Sequence, residues 1–406
     1  MFRNILTKLL LKCEFIIYLF VFILVRYMGF LEYQFDTVGI IFAISITALV
    51  LFQVLYYIIV FGRTCFHKSP KTELHHFPSV SVVICAKDEA YNLERRLPII
   101  LEQQYPNFEV VVVNDASKDE SQYVLRVLQE IYPNLNVVHL HENVNRFLGK
   151  KYPLSIGIKS AKNDIILLTE ADTQPLSYNW ITEMVKGFEP KTQMVIGYTN
   201  YETKKTLLSS LIQYEHQTSS INYLGNAVLK NPYMGTGKNL AFTKKMFFAV
   251  NGFISQYNIP VGEDQLFVNK YANSKNTKAI LTKDSINQSS TKEKLFEWML
   301  QKKKDYRSLS YFKLKDKLIV SLMPITTTLI YALITLSIIY KFPWEYVVIA
   351  LIIKYTIQII IYFKTSRKLG TKQLAFLAPI YEIIFIPINT IIRISSLLTK
   401  RNQWKY

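Results

Sequence analysis

"DIILLTEADTQP", residues 164–175, decides how the chain is read. A strand-like apolar run, Ile165 to Leu168, ends on two carboxylates, Glu170 and Asp172, with only Ala171 between them. One explanation is an acidic turn ahead of Pro175, since Asp favours turns. The other is a cation holding a phosphate, because hard cations take carboxylate oxygens and share them with phosphate groups. The surrounding sequence has to choose.

Working outward, "SVSVVICA" (79–86), "FEVVVV" (108–113) and "LNVVHL" (135–140) read as strands. "NLERRLPIILEQQ" (92–104), "SQYVLRVLQEI" (121–131) and "YPLSIGIKSA" (152–161) carry helical spacing. Strands alternating with helices imply a mostly parallel sheet with helices on its faces. Ligands of such sheets bind beyond the carboxyl ends of the strands. Three strand ends here are acidic: "KDEA" with Asp88 and Glu89, "NDASKD" with Asn114 and Asp115, and "TEAD" with Glu170 and Asp172. One acidic strand end is ordinary turn chemistry; three in one domain point to a site for a polar ligand and a cation. Neither G-x-G-x-x-G nor G-x-x-x-x-G-K-[ST] occurs, which argues against a dinucleotide fold or a P-loop.

The chain has 406 residues, is 50% hydrophobic and carries a formal net charge of +18. That balance suits a protein part membrane and part soluble, with an anionic lipid face or a nucleotide phosphate as partner. No aromatic-basic RNA motif accompanies the charge, so a nucleic-acid partner is not expected. Cys13, Cys65 and Cys85 lie far apart and suggest neither zinc nor a disulfide frame. Gly39 to Phe61 is uncharged and long enough to span a bilayer; Phe15 to Val25 is shorter and reads as an anchor. Leu318 to Tyr340 and Tyr346 to Phe363 are further spans, with Lys354 inside the second. Leu374 to Leu398 is interrupted by Pro379, Glu382, Pro387 and Arg393, so it spans, re-enters or lies flat. The expected organisation is a membrane anchor over 1–62, a catalytic domain over 63–317 and membrane helices over 318–406. Arg63, Lys68 and Lys71, Lys313, Lys315 and Lys317, and Lys364, Arg367, Lys368 and Lys372 flank the blocks. By the positive-inside rule they put the catalytic domain in the cytoplasm of an integral cell-membrane protein.

From Pro78 to Lys304 the motifs, in order, resemble those of membrane-bound family 2 glycosyltransferases. "VSVVICAKDEAYNLERRL" is similar to the family's opening strand, and "YPNFEVVVVNDASKDES" to its V-V-D-D-x-S-x-D run, with Asn114 in place of the first Asp. "GKKYPLSIGIKSAKNDIILLTEADT" resembles G-K-x-x-A-L-N-x-G followed by the D-x-D metal motif. "MGTGKNLAF" resembles the acceptor-side glycine run, and "GEDQL" the E-D motif of the catalytic base. The resemblance implies an α/β GT-A nucleotide-sugar-binding domain flanked by transmembrane helices. It implies an inverting transfer of a sugar from a nucleotide-diphosphate sugar to a lipid-linked or glycan acceptor, with Mg or Mn as cofactor and membrane lipids as partners. A processive polysaccharide synthase is the alternative enzyme, and a non-enzymatic basic membrane or nucleic-acid binder the alternative of another class.

Residue by residue, the resemblance implies that Asp172 binds the metal, while Glu170 reaches the ribose or the metal through water. Asp115 would read the nucleoside, Glu89 would lie near the base pocket, and Lys150 would meet the nucleotide. Asp264 would be the catalytic base. Gly237 and Asn239, from the glycine run, would line the diphosphate or acceptor side. Q-x-x-R-W, frequent in processive members, is replaced by "QKKKDY". Gln301 is kept and Lys304 stands for Arg, so Gln301 and Lys304 join the diphosphate or acceptor side. Lys302 to Lys304 fit a leaving diphosphate and an anionic lipid surface equally.

Overall fold

The computed structural model describes residues 36–67, 76–141, 149–259, 261–371 and 374–398. The Phe15–Val25 block, Lys68, Lys71, Lys372 and the basic C-terminal tail lie outside them. The strands are β1 (Val80–Ala86), β2 (Phe108–Asp115), β3 (Leu135–Leu140), β4 (Ile165–Glu170), β5 (Thr173–Pro175), β6 (Met194–Ile196), β7 (Thr199–Tyr201), β8 (Leu240–Thr243), β9 (Thr277–Ala279) and β10 (Asn287–Ser289). The helices begin with α1 (Thr37–Phe66, with a π turn over Tyr57–Phe61), α2 (Ala90–Leu101), α3 (Ser121–Ile131), α4 (Lys151–Ser160), α5 (Trp180–Val185) and α6 (Leu207–Val228). They continue with α7 (Lys244–Ala249), α8 (Glu263–Tyr271), α9 (Leu295–Leu309), α10 (Leu314–Ile339), α11 (Trp344–Leu369) and α12 (Ala378–Leu398).

The main sheet runs β3-β2-β1-β4-β8-β6-β9, and β8 is its antiparallel member. The mostly parallel α/β sheet expected from the sequence is therefore present. β1 is buried along its whole length, as a strand covered on both faces must be. On one face Leu93, Leu97, Ile100 and Leu101 of α2 and Leu125 and Leu128 of α3 supply the apolar stripe. On the other, Leu154 and Ile158 of α4 pack with Tyr223 and Leu224 of α6 and Phe267 of α8. α4 lies close because residue 157 is glycine: a Cβ there would fall 2.7 Å from Val83 and 2.9 Å from Val113. A second sheet, β5-β10-β7, sets Ser289 opposite Thr173 and so brings residues 289–290 beside the end of β4.

α1, α10, α11 and α12 are long and apolar enough to cross a membrane. α1 continues to Phe66 and α10 starts at Leu314. Gln53 of α1 donates to Thr326 and Thr327 of α10, each at 2.9 Å. The charges that interrupted the apolar blocks pair with each other: Lys354 lies 2.5 Å from Glu382. Gln358 donates to the same carboxylate at 2.7 Å and Tyr57 at 3.1 Å. Ions at this depth persist only when paired and hydrogen-bonded. α12 packs along α9: Trp298 meets Phe385, Tyr306 donates to Asn389 at 3.0 Å, and the Arg393 guanidinium lies 5.1 Å from the Tyr306 ring centre.

α6 locks the sheet domain onto the membrane helices. Tyr56 donates to Asn222 at 2.8 Å, and Gln217 to Ser366 at 2.7 Å. Gly225 meets the π turn of α1 so closely that a Cβ would lie 2.3 Å from the Val60 carbonyl oxygen.

Candidate active site

The loops after β1 and β2 are knitted together by side-chain caps. Ser117 and Ser121 accept from the Asp88 and Glu89 amides at 3.0 Å, and Asp119 accepts from the Ala90 amide at 2.9 Å. Both loops need a left-handed residue, Asp88 at φ 55° and Ala116 at φ 51°. Glu89 accepts from Asn92 at 2.6 Å, and burial raises its carboxyl above the ordinary range. Asp115 closes β2, next to the Asn114 that pairs with Ala86 at the end of β1, and its charge acts on Cys85 of the cavity wall.

At the end of β4, Glu170 and Asp172 converge on one ammonium. Lys238 Nζ lies 2.9 Å from Glu170 and 2.6 Å from Asp172, and donates to Ser289 Oγ at 2.7 Å. Lys150 approaches the other Glu170 oxygen at 3.4 Å. Burial opposes the charge on Glu170, but Lys150 and Lys238 outweigh it and hold the carboxyl well below its usual range. Asp172 is further fixed by Thr173 Oγ1, donating at 3.0 Å, and its own carbonyl accepts from the Ser290 amide at 3.0 Å.

Asp264 opens α8. Its carboxylate accepts from the Gly237 amide and, at 2.8 Å, from the Gln265 amide. Burial, and then the neighbouring charge of Glu263, push its carboxyl up to about 7. The preceding Gly262 has φ +69°, and a Cβ there would fall 2.5 Å from Ser308 Cβ, so this entry to α8 requires glycine. Behind it Lys151 is almost fully buried and donates to the Ile259 carbonyl at 2.7 Å and the Val261 carbonyl at 3.3 Å, tying down the approach.

A cavity of about 1220 Å³ joins these groups. Glu89, Lys150, Glu170, Asp172, Lys238 and Asp264 are among the residues that line it. Gln301 and Lys304 of α9 line it too, as do Met323 and Thr327 of α10 and Phe385 and Arg393 of α12. Lys302 is neutralised by Glu215 at 2.6 Å and Asp305 at 3.4 Å.

Gly237 stands at the site through its amide, but Asn239 does not. Asn239 is fully buried, donates to the Tyr198 and Ser285 carbonyls at 2.8 Å each, and accepts from Trp180 at 3.1 Å. It is a core residue, and its expected place on the diphosphate or acceptor side is corrected accordingly. Lys238, between these two glycine-run positions, is the site residue the sequence reading passed over.

A divalent cation fits this donor set. The Lys238 ammonium already marks a point where two carboxylates face positive charge. Among the described residues no three His, Cys, Asp or Glu side chains converge, so phosphate or water oxygens would have to complete a metal's shell.

An α/β sheet with an acidic β4 end, a half-buried carboxylate opening α8 and a cavity lined by both is the GT-A arrangement. Residues 81–250 match the family model described as Glycosyl transferase family 2, so the chain carries a family 2 glycosyltransferase domain, which is an enzyme domain. It is similar to the poly-beta-1,6-N-acetyl-D-glucosamine synthase of Staphylococcus aureus, 24% identical over 159 residues, covering 38% of this chain and 36% of that protein. The synthase of the same name from Staphylococcus epidermidis is 25% identical over 149 residues, covering 36% of this chain and 34% of that protein. The chain thus matches about a third of the length of these curated relatives. A solved structure, the mannosyltransferase PcManGT from Pyrobaculum calidifontis in complex with GDP-Man and Mn2+, shares the fold with a TM-score of 0.55. That match is 19% identical and covers 89% of this chain and 98% of the other.

Proposed function

We propose that the chain is a membrane-anchored inverting glycosyltransferase that moves a sugar from a nucleotide-diphosphate sugar to a lipid-linked acceptor. The observation that carries this reading is the continuity of the cavity. One lining holds the Glu170–Asp172 pair, Asp264 and residues of α10 and α12, helices of membrane-spanning length. Arg393 lines this cavity with no carboxylate in ion-pair distance among the described residues, which suits an anionic group on the acceptor.

Asp172 and Glu170 are the proposed cation ligands, as the Mn2+ of PcManGT supports for the fold. Bound there, Mg or Mn would neutralise the leaving diphosphate. Lys150 and Lys238 are placed to add positive charge on the same side. Glu89 and Asp115 are the proposed nucleoside-side residues, with Gln301, Lys304 and the Gly237 amide toward diphosphate and acceptor. Asp264 takes the proton of the acceptor hydroxyl as that oxygen bonds to the anomeric carbon and the bond to the diphosphate breaks. Its value about 7 is that of a base poised near neutral pH. The proposed borders are 1–62, 63–317 and 318–406, with the catalytic domain cytoplasmic and the protein in the cell membrane.

The poly-N-acetylglucosamine synthases among the relatives support a second reading, processive polymerisation onto a glycan acceptor. Incubating detergent-solubilised protein with a panel of nucleotide sugars and a membrane lipid extract tests both. Single transfer gives one labelled lipid product; polymerisation gives a ladder. Absence of transfer from every donor, with and without Mn2+, refutes both readings.

A further inference from the structure

We propose that Lys238 is a built-in counter-ion that holds the cation position between Glu170 and Asp172 until a nucleotide diphosphate arrives, so that divalent metal enters with the diphosphate and not before it. The proposal rests on the reading of Glu170 and Asp172 as the donor's cation site.

The placement of Lys238 is specific. Its Nζ has four partners, Glu170 at 2.9 Å, Asp172 at 2.6 Å, Ser289 Oγ at 2.7 Å and, more distantly, Thr173 Oγ1 at 3.5 Å. Its backbone is anchored from two sides, because its carbonyl accepts from Thr169 Oγ1 at 3.1 Å and Asn287 Nδ2 at 2.8 Å. The side chain is 12% exposed, so it is held in the wall of the cavity and does not swing in solvent.

The charges explain the order of entry. Glu170 and Asp172 bring two negative charges, and Lys238 and Lys150 bring two positive ones, so the cluster is formally neutral before any ligand binds. A bare divalent cation would meet carboxylates already paired and two ammonium groups that repel it. A cation carried on a diphosphate brings phosphate oxygens with it. Lys238 then exchanges carboxylate partners for phosphate partners, and no ammonium is left uncompensated. The adjacent Gly237 amide donates to Asp264, so the same two residues touch both the cation pair and the proposed base.

The test is equilibrium dialysis of the full-length detergent-solubilised protein against Mn2+, with and without GDP or UDP, for the wild type, Lys238→Met and Lys238→Arg. Without nucleotide, the wild type and Lys238→Arg should retain Mn2+ weakly. Lys238→Met should retain it at least ~10-fold more tightly, since one unit charge beside two carboxylates has gone. Nucleoside diphosphate should raise wild-type retention by ~10-fold or more above what the nucleotide binds alone. Equal affinity of wild type and Lys238→Met for Mn2+ without nucleotide overturns the proposal and leaves the donor-site reading standing. No Mn2+ retained by any form even with nucleotide overturns both. If Lys238→Met fails to fold, the wild type still decides: micromolar Mn2+ affinity without nucleotide refutes a resident counter-ion.

Discussion

Replacing Asp264 by Asn separates the proposed base from the donor site. Asn keeps the size of Asp but offers one acceptor oxygen where the carboxylate offers two. The carboxylate accepts from the Gly237 and Gln265 amides, so one of these loses its partner, at a cost of ~1–3 kcal/mol. Against that, the substitution removes a charge whose burial is unfavourable enough to push the carboxyl up to about 7. The two effects oppose, and the melting temperature should move by only a few degrees, roughly what 1 kcal/mol produces in a domain this size. Transfer, in contrast, should fall by ~10²–10⁴, the usual worth of a positioned general base. The sign of the pH dependence follows from the same carboxyl. Only its deprotonated form accepts a proton, so the wild-type rate should fall as pH drops through about 7, and the Asn variant should lose that acid limb. The assay pairs donor affinity with transfer rate from pH 5.5 to 8.5, a range chosen to bracket neutral pH with about 1.5 units on either side. Unchanged rate, or an acid limb that persists in the variant, refutes Asp264 as the base. Loss of donor affinity together with rate would assign it to the donor site.

Three further outcomes are expected. Gly225→Ala puts a Cβ 2.3 Å from the Val60 carbonyl oxygen, so it should cost ~1–3 kcal/mol or more and lower the thermal transition of the detergent-solubilised protein. Lys354→Met leaves Glu382 buried without its cation and should destabilise by ~3–5 kcal/mol, whereas Lys354→Met with Glu382→Leu should recover most of it in the same melting assay. Reporter fusions at Ser160 and Pro343 should fall on opposite sides of the membrane, and the same side for both would overturn the cytoplasmic placement of the catalytic domain.

Much of the sheet was legible because its central strands are apolar runs. β1, β2 and β4 each carry an unbroken stretch of Val, Ile or Leu, the mark of strands buried on both faces. β6, β8 and β9 are three or four residues long and exist by pairing with their neighbours, which no local pattern announces. Glu170, Asp172 and Asp264 stood out as candidates because an acid directly after an apolar strand, or at the start of a helix behind a glycine, is visible in the local sequence, and the structure gathers all three on one cavity. Lys238 was not, although it lies inside "MGTGKNLAF", because a lone loop lysine gives no sign of the carboxylates it will meet 66 residues away from Asp172. Asn239 was misplaced for the converse reason: a polar residue next to a glycine run reads as ligand-facing, and only the core shows its amide consumed by Trp180, Tyr198 and Ser285. Lys354 and Glu382 read separately as flaws in two apolar helices; the packing of α11 against α12 turns them into one pair.

The end of β4 is where the proposed donor site is tested most directly. The measurement is binding of a nucleoside diphosphate to the purified protein by calorimetry, with Mn2+ and with chelator, for the wild type and Asp172→Asn. A donor site built on a shared cation predicts binding by the wild type that Mn2+ strengthens by ~10-fold or more, and loss of that metal dependence in Asp172→Asn while the fold is retained. Binding that is indifferent to Mn2+ and unchanged by Asp172→Asn would contradict it, and would return "TEAD" to the reading of an acidic turn.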